Sequence, residues 1–408
     1  MMLQPQVIVV GAGPAGSVLA GLLAQQGVET LLLDKATFPR EKTCGDYLSP
    51  GTVRLLDQLD LLDAVRSAGA RRLSGMTVAS PDGTTFTAEF PAITGTNGSP
   101  PFALSIPRVL LDSLLLQWAR GFGVRCVEGL RVTDLIWANG QVRGVTGIGS
   151  NGPVSYQGQV VVGADGRESV VARRLGLHRP YPALRRMALV AYYEGICELT
   201  DHGMIVVGDR SYCILNRIGE RLINVSIVVD QGIVQNWKGQ LDELLEGTLL
   251  AFPCALRALR DTRRQGPVRC LGPLAFRTTS SVAAGTLLIG DAAGFYDPFT
   301  GEGVGHALYT ARIAARAIVS ALAAADGNFR GAPLEQFDTE QRQALTGRQR
   351  LGAALQVIIR RPRAANAVAH LLRRRQSLAD LLLGVIGDLL PPQALFSTSA
   401  LSKVFYRA

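Results

Sequence analysis

The first three dozen residues change hydrophobic period twice. Val7 to Val10 is an unbroken apolar run, the pattern of a short strand buried on both faces. Residues 14–26 then place small and apolar side chains at helical spacing, with Pro14 at the start and Gly27 at the end. Thr30 to Leu33 is a second buried run and stops at Asp34. Strand, glycine turn, helix and strand in that order predict a βαβ unit. Three later segments carry the same signature. "SIPRVLLDSLLLQWARGFG" predicts a helix with Ser105 as N-cap and Pro107 in the first turn. "YQGQVVVGADGRESVVARRLGL" predicts a buried strand, a turn and a helix, and "GTLLIGDAAG" a fourth buried strand.

Between these pieces the period shortens. "GMTVASPDGTTFTAEF" alternates around an Asp-Gly turn, as a hairpin does. "MALVAYYEGICEL", "GMIVVGDRSYCILNRI" and "RLINVSIVVD" predict strands of an antiparallel sheet. From about Pro333 the chain turns helical. The expected organisation is an α/β nucleotide-binding domain in three pieces, residues 1–70, 105–176 and 276–330. A β-rich substrate domain is inserted at 71–104 and 177–275, and a helical segment follows at 331–408.

Composition narrows the class. A chain of 408 residues at about 150 per domain suggests two or three domains. With 47% hydrophobic and 18% charged residues it can bury a large core. Six scattered cysteines without a C-x-x-C pair, and four histidines without ligand spacing, point away from disulfide frameworks and metal sites. Val7 to Val10 runs straight into a glycine turn, which does not read as a signal peptide, and no apolar stretch reaches the ~18 residues of a span. The expected location is cytoplasmic, with at most membrane association.

The net charge of +9 is local. Nine arginines (342, 348, 350, 360, 361, 363, 373, 374 and 375) lie between Glu340 and Asp380 with no acid among them. Interleaved aromatics and a nucleic-acid motif are missing, so nucleic acid is not expected. A solvated helix surface, a dimer surface and an anionic membrane surface remain open, the last at ~1 kcal/mol per basic residue near it.

Gly11, Gly13 and Gly16 form G-x-G-x-x-G between strand and helix. The first permits the turn, the second lets a pyrophosphate approach the backbone, and the third lets helix and strand pack. The anion would sit on free N–H groups at the helix start. Asp34, at the tip of the next strand, is placed to accept from an adenosine ribose. Asp291, after the strand "TLLI", is placed to bind a sugar-like hydroxyl. Glycines 301, 303 and 305 open a helix whose N-terminus suits the negative charge of a reduced flavin ring.

The N-terminal fingerprint, "GADGRES" at 163–169 and "GDAAG…P…GEGV" at 290–304 together resemble the FAD-dependent aromatic hydroxylase superfamily. "FPREKTCGDYL" at 38–48 and "DPFTGEGVGHAL" at 297–308 resemble its geranylgeranyl reductase family. The resemblance implies a glutathione-reductase-like Rossmann FAD-binding domain, an antiparallel substrate sheet, and FAD as electron carrier. It places Gly11, Gly13, Pro14, Ala15, Gly16, Asp34 and Lys35 around the adenosine diphosphate, with Arg40 and Arg108 toward the pyrophosphate. Asp165 would support the cofactor. Gly290, Asp291, Pro298, Gly301, Gly303 and Val304 would line ribityl and ring, beside Cys44 and Gly45. The chain has one dinucleotide fingerprint, so NAD(P)H, if it is the reductant, docks transiently; a protein or ferredoxin-type donor is the alternative.

Flavin carries the electron chemistry, leaving the protein to place substrate and supply a proton. Cys44 is the candidate donor, a thiol that a positive environment would bring toward neutrality; otherwise it packs under the cofactor. Asp46 stands where the reductases usually have a second glycine. Tyr212 and Asn216 replace the aromatic pattern of the reductase family and the W-x-W-x-I-P of halogenases, and without that tryptophan halogenation is not expected. The two are read as polar fixtures of an apolar pocket or as ordinary sheet residues. His306 is read as a packed helix residue, with a general base as the alternative. The first functional expectation is reduction of carbon–carbon double bonds in a polyprenyl or lipid-like substrate. The second is a monooxygenase acting through a flavin C4a-hydroperoxide on a secondary metabolite. The third is a flavin-fold protein without turnover.

Overall fold

The computed structural model describes residues 5–92, 100–182, 184–197, 199–237, 239–324 and 332–396. Two sheets organise them. The first has six strands in the order Val282–Ala283, Thr286–Leu288, Val160–Gly163, Val7–Val10, Thr30–Leu33 and Arg125–Val127. Its pairs are parallel except for the short hairpin at the Val282 edge. The three central strands are buried at every position, as their unbroken apolar runs require.

Alternate side chains of these strands serve two cores. Val7, Val9, Leu32, Val160 and Val162 pack against the helices Pro14–Gln25, Arg108–Gly121 and Gly303–Ala323. Ile8, Val10, Leu31, Leu33 and Val161 pack under a three-stranded antiparallel sheet, Arg131–Ala138, Gln141–Gly149 and Gly152–Gln157. The carboxyl ends of the parallel strands therefore open along one edge, where ligands of such sheets bind.

The second sheet has seven strands in the order Asp261–Leu271, Arg186–Ile196, Leu222–Asp230, Tyr212–Ile218, His202–Val207, Gly75–Ala79 and Thr85–Glu89. One pair departs from the expected antiparallel pattern: Gly75–Ala79 lies parallel to His202–Val207. The 75–89 hairpin comes from an earlier part of the chain and adds to the sheet edge through a long crossover, which leaves its direction free. One face of the sheet packs on the helices Leu241–Leu249 and Pro253–Ala258. The other packs toward the C-terminal helices Ala332–Ile359, Pro362–Arg374 and Gln376–Ile386.

Those helices latch onto the free edge strand. Asp380 Oδ1 accepts from the Glu89 N–H at 2.8 Å, Gln376 Nε2 donates to the Thr87 carbonyl at 3.0 Å, and His370 pairs with Asp82 at 3.0 Å. Covering the edge satisfies backbone groups that would otherwise template a foreign strand. Among the described residues no helix is long and apolar enough to cross a membrane.

Two local expectations change. The first helix ends at Gln25, with Gly27 in the left-handed region at φ +74°. The helix expected to start at Ser105 starts at Arg108. Ser105 ends the strand Ala103–Ser105, and its hydroxyl donates to the Arg217 carbonyl. The Arg108 N–H is taken instead by Asp46 Oδ1 at 3.0 Å, so a carboxylate from a distant loop stands at the helix start.

Candidate functional site

A cavity of about 1030 Å³ runs from the carboxyl edge of the parallel sheet to the face of the seven-stranded sheet beneath the C-terminal helices. Its two ends have opposite chemistry.

At the first end the glycine turn is shaped by contacts a side chain would destroy. Gly11 has φ +104°, and a Cβ there would meet the Ala164 carbonyl oxygen at 2.5 Å. A Cβ on Gly16 would stand 1.8 Å from the Gly11 oxygen. Gly13 differs: its φ is −73°, and the only neighbour of a Cβ is Arg40 Nη2 at 3.5 Å. The fold does not need glycine there; the open face toward the cavity does. Asp34 pins the turn, its Oδ2 accepting from Ala12 N–H at 2.7 Å and its Oδ1 from Ala36 N–H at 2.8 Å. Pro14, Ala15 and Lys35 line the cavity beside it.

Arg40 and Arg108 share one fully buried carboxylate. Asp112 takes Arg40 at 3.1 Å and both arms of the Arg108 fork at 2.6 and 2.9 Å. Lys42 and Arg167 complete a basic floor facing Asp291. Burial pushes the Asp291 carboxyl up, while Arg167, Lys42 and Arg108 pull it back. Arg40, Lys42, Arg108 and Arg167 outnumber the two carboxylates they face, Asp112 and Asp291, which suits an anionic pyrophosphate. Asp165 accepts the Val170 N–H through Oδ2 at 2.7 Å, and its Oδ1 is buried without a protein partner.

The third motif closes this end. Gly290 sits at φ +55° with its N–H on Thr310 Oγ1 at 2.9 Å, which starts a 3-10 turn carrying Asp291. Gly301, at φ +67°, leaves room for the Tyr47 ring, which a Cβ would meet at 2.5 Å. The helix Gly303–Ala323 begins without a side-chain cap and without an acid in its first turn. Pro298, Gly301, Gly303 and Val304 line the cavity. An anion cradle, a bare helix start and a carboxylate at a strand end fit a dinucleotide with an attached ring, and so fit FAD.

Cys44 and Gly45 bring the loop 40–46 into the cavity wall. Burial pushes the Cys44 thiol up, Arg108 pulls it down and Asp46 pushes it up again. The thiol therefore stays protonated at neutral pH, a correction to the expectation that it titrates there. Asn216 reaches the wall and donates through Nδ2 to the Gly45 carbonyl at 3.1 Å. Tyr212 does not line the cavity. It is fully buried, donates to Asp297 Oδ1 at 2.6 Å, and packs edge-on against Phe299. His306 also lies outside the wall; burial, reinforced by Arg348, lowers its pKa to about 3 and keeps it neutral. Sequence reasoning passed over Lys42 and Arg167, although both sit inside the quoted motifs.

At the second end the wall is aliphatic. The sheet gives residues such as Met76, Val190, Ile205 and Val228, and the C-terminal helices give Leu355, Leu372 and Leu383. Neither sheet nor helices place a charged side chain in this wall among the described residues. The aromatic side chains around the whole cavity are Tyr47, Phe86, Phe295 and Phe299.

Fold and cradle together define a flavin-dependent oxidoreductase. A family model described as an FAD binding domain matches residues 4–191. The menaquinone reductase of Mycobacterium tuberculosis is 30% identical over 349 residues, covering 77% of this chain and 76% of that protein. The digeranylgeranylglycerophospholipid reductase of Methanoculleus marisnigri is 28% identical over 355 residues, covering 84% and 82%. The solved flavin-dependent brominase Bmp2 shares the fold, with a TM-score of 0.82 at 20% identity over 94% of each chain. The chain belongs to the geranylgeranyl reductase family of the FAD-dependent aromatic hydroxylase superfamily and is an FAD-dependent oxidoreductase.

Proposed function

We propose that this enzyme reduces carbon–carbon double bonds of a polyprenyl or similarly aliphatic, lipid-like molecule. The observation that carries the reading is the split cavity, cationic over the glycine turn and uncharged between sheet and C-terminal helices. A wall of branched aliphatic side chains with few aromatics suits a flexible hydrocarbon better than a planar ring. The name of the Methanoculleus marisnigri relative, a reductase of a digeranylgeranyl lipid, points the same way.

In this reading the piecewise nucleotide-binding domain is glutathione-reductase-like, and the seven-stranded sheet with its helical cover forms the substrate unit. Gly11, Gly13 and Gly16 admit the pyrophosphate, Arg40 and Arg108 neutralise it, and Asp34 orients the adenosine end. Asp291 and the start of Gly303–Ala323 hold ribityl and ring. FAD, when bound, supplies the electron pair. The apolar walls align the hydrocarbon and exclude water, and Cys44 holds a proton at Sγ where the two ends of the cavity meet. Asn216 fixes the loop that carries that thiol. NAD(P)H or another donor supplies electrons without a fingerprint of its own. The enzyme works in the cytoplasm, touching an anionic membrane through the exposed arginines of Pro362–Arg374.

The departures at Asp46 and Tyr212 favour one second reading, a monooxygenase. The two readings separate on anaerobically reduced protein. Mixing with a polyprenyl lipid without oxygen is expected to reoxidise the flavin, and mixing with oxygenated buffer to return it in one phase. No oxidation by any polyprenyl lipid, with a resolved transient spectrum in oxygen, would overturn the reductase.

A further inference from the structure

Asp46 is a buried carboxylate at φ +52°, a left-handed conformation that aspartate tolerates and glycine adopts freely. Each of its oxygens is committed. Oδ1 accepts the N–H of Arg108 at 3.0 Å; Oδ2 accepts the Tyr192 hydroxyl at 2.6 Å and Asn224 Nδ2 at 2.8 Å. Asn224 also donates to the Cys44 carbonyl at 2.8 Å, and Ser226 holds the other side of its amide at 2.8 Å. The loop is thus tied at Cys44, Gly45 and Asp46 to three strands of the seven-stranded sheet and to the start of the Arg108 helix.

The charged and titratable groups facing the Cys44 sulfur are few. The Arg108 guanidinium and the Asp46 N–H lie beside Sγ, the Asp46 carboxylate acts from the same loop, and Tyr192 from the sheet. Burial is the largest influence and opposes a thiolate; Arg108 and the Asp46 N–H favour one, and the Asp46 carboxylate adds to the effect of burial. We propose that Asp46 is a positioning residue: its bonds to the Arg108 N–H, Tyr192 and Asn224 hold the Cys44 loop against the start of the Arg108 helix and set a carboxylate two residues from the sulfur. A glycine at this position would allow the same backbone but would lack the charge and the bond to Tyr192. The inference rests on the reading of Cys44 as proton holder, but its test does not require turnover.

The test compares holoenzyme with Asp46→Asn and Asp46→Gly variants. Asparagine keeps the shape and accepts the left-handed backbone; glycine relieves that backbone altogether. Thiolate absorbance at 240 nm is titrated, each trace taken as the difference from the same protein carrying Cys44→Ser. That difference isolates one cysteine from six and cancels the flavin. Both variants are expected to lower the Cys44 midpoint by about one pH unit or more, a tenfold rise in thiolate at a fixed pH below it. A midpoint unchanged in both, with FAD retention falling, would make Asp46 purely structural and overturn the proposal. The Cys44→Ser enzyme turning over at the parental rate would instead overturn the proton-holder reading and leave the titration standing.

Discussion

Gly13 and Gly16 belong to one motif, yet the structure gives their side-chain-free positions different reasons, and the difference is measurable. Gly13 is the N-cap of the first helix at φ −73°, ψ −173°, backbone that valine accepts, with Arg40 Nη2 3.5 Å from a built Cβ. Gly13→Val costs folding about 1 kcal/mol, from the poorer cap alone. A Cβ at Gly16 lies 1.8 Å from the Gly11 oxygen and 3.2 Å from Val9 Cγ1. Both neighbours are fixed by the turn and the strand, so Gly16→Ala overpacks the unit by about 1–3 kcal/mol or more. FAD at a hundred times its Kd stabilises by about 2.7 kcal/mol. For 408 residues at about 2.1 cal/mol/K each, that is an increase of about 3 °C in melting temperature. The assay is a thermal melt with and without FAD, alongside flavin absorbance per polypeptide. Wild type should gain the full increment. Gly13→Val should melt within about 1 °C of wild-type apoprotein and gain nothing, while Gly16→Ala should melt about 1–4 °C lower before FAD is added. Gly13→Val protein with stoichiometric flavin and the full increment would refute the cradle.

Asp291→Ala should weaken FAD binding at least tenfold, the worth of a hydrogen bond to a charged group; flavin retention through desalting checks it, and a mutant as yellow as the parent would count against the role. Glu302 and Asp388 face each other across Arg348, and burial raises both carboxyls, Glu302 to about 8. A carboxyl raised in the fold stabilises while protonated, so this contribution is complete below about 4.5 and is lost as pH rises through about 8. Apoprotein melting should therefore fall by a few °C between pH 6 and 9, and Glu302→Gln should flatten that fall. Changing Arg363, Arg373 and Arg374 to glutamine should reduce sedimentation with anionic vesicles by one to two orders of magnitude, at ~1 kcal/mol each; equal sedimentation would remove the membrane contact.

What the chain declared in advance follows from the range of the forces involved. Val7–Val10, Thr30–Leu33 and Val160–Gly163 were legible because burial on both faces leaves no polar position to disguise them. Gly11 and Gly16 were legible because neighbouring backbone excludes a side chain at close range. The cap of the Arg108 helix was not, because a local rule nominates a nearby serine, whereas the donor is met by Asp46 from another part of the fold. Tyr212 and Asn216 share a strand face, but only Asn216 reaches the cavity; the DPF loop folds over the other end and takes Tyr212 through Asp297. Alternation sets the face, not the position along it.

The C-terminal helices show the same limit on a larger scale. Apolar runs broken by arginines state that each helix has two faces, and nothing in the pattern says which surface the apolar face meets. Here Ala365, Ala369 and Leu372 turn to the cavity, while Arg363, Arg373 and Arg374 of the same helix and Arg361 at its N-cap stay exposed. One short helix is thus both wall of the apolar pocket and basic surface of the molecule. Its polar contacts with the edge hairpin are His370 on Asp82 and the Asp82 N–H on Asn366 at 3.2 Å, both at the protein surface. Surface bonds of this kind contribute little each, so the helix is held mainly by the apolar area it buries over the cavity.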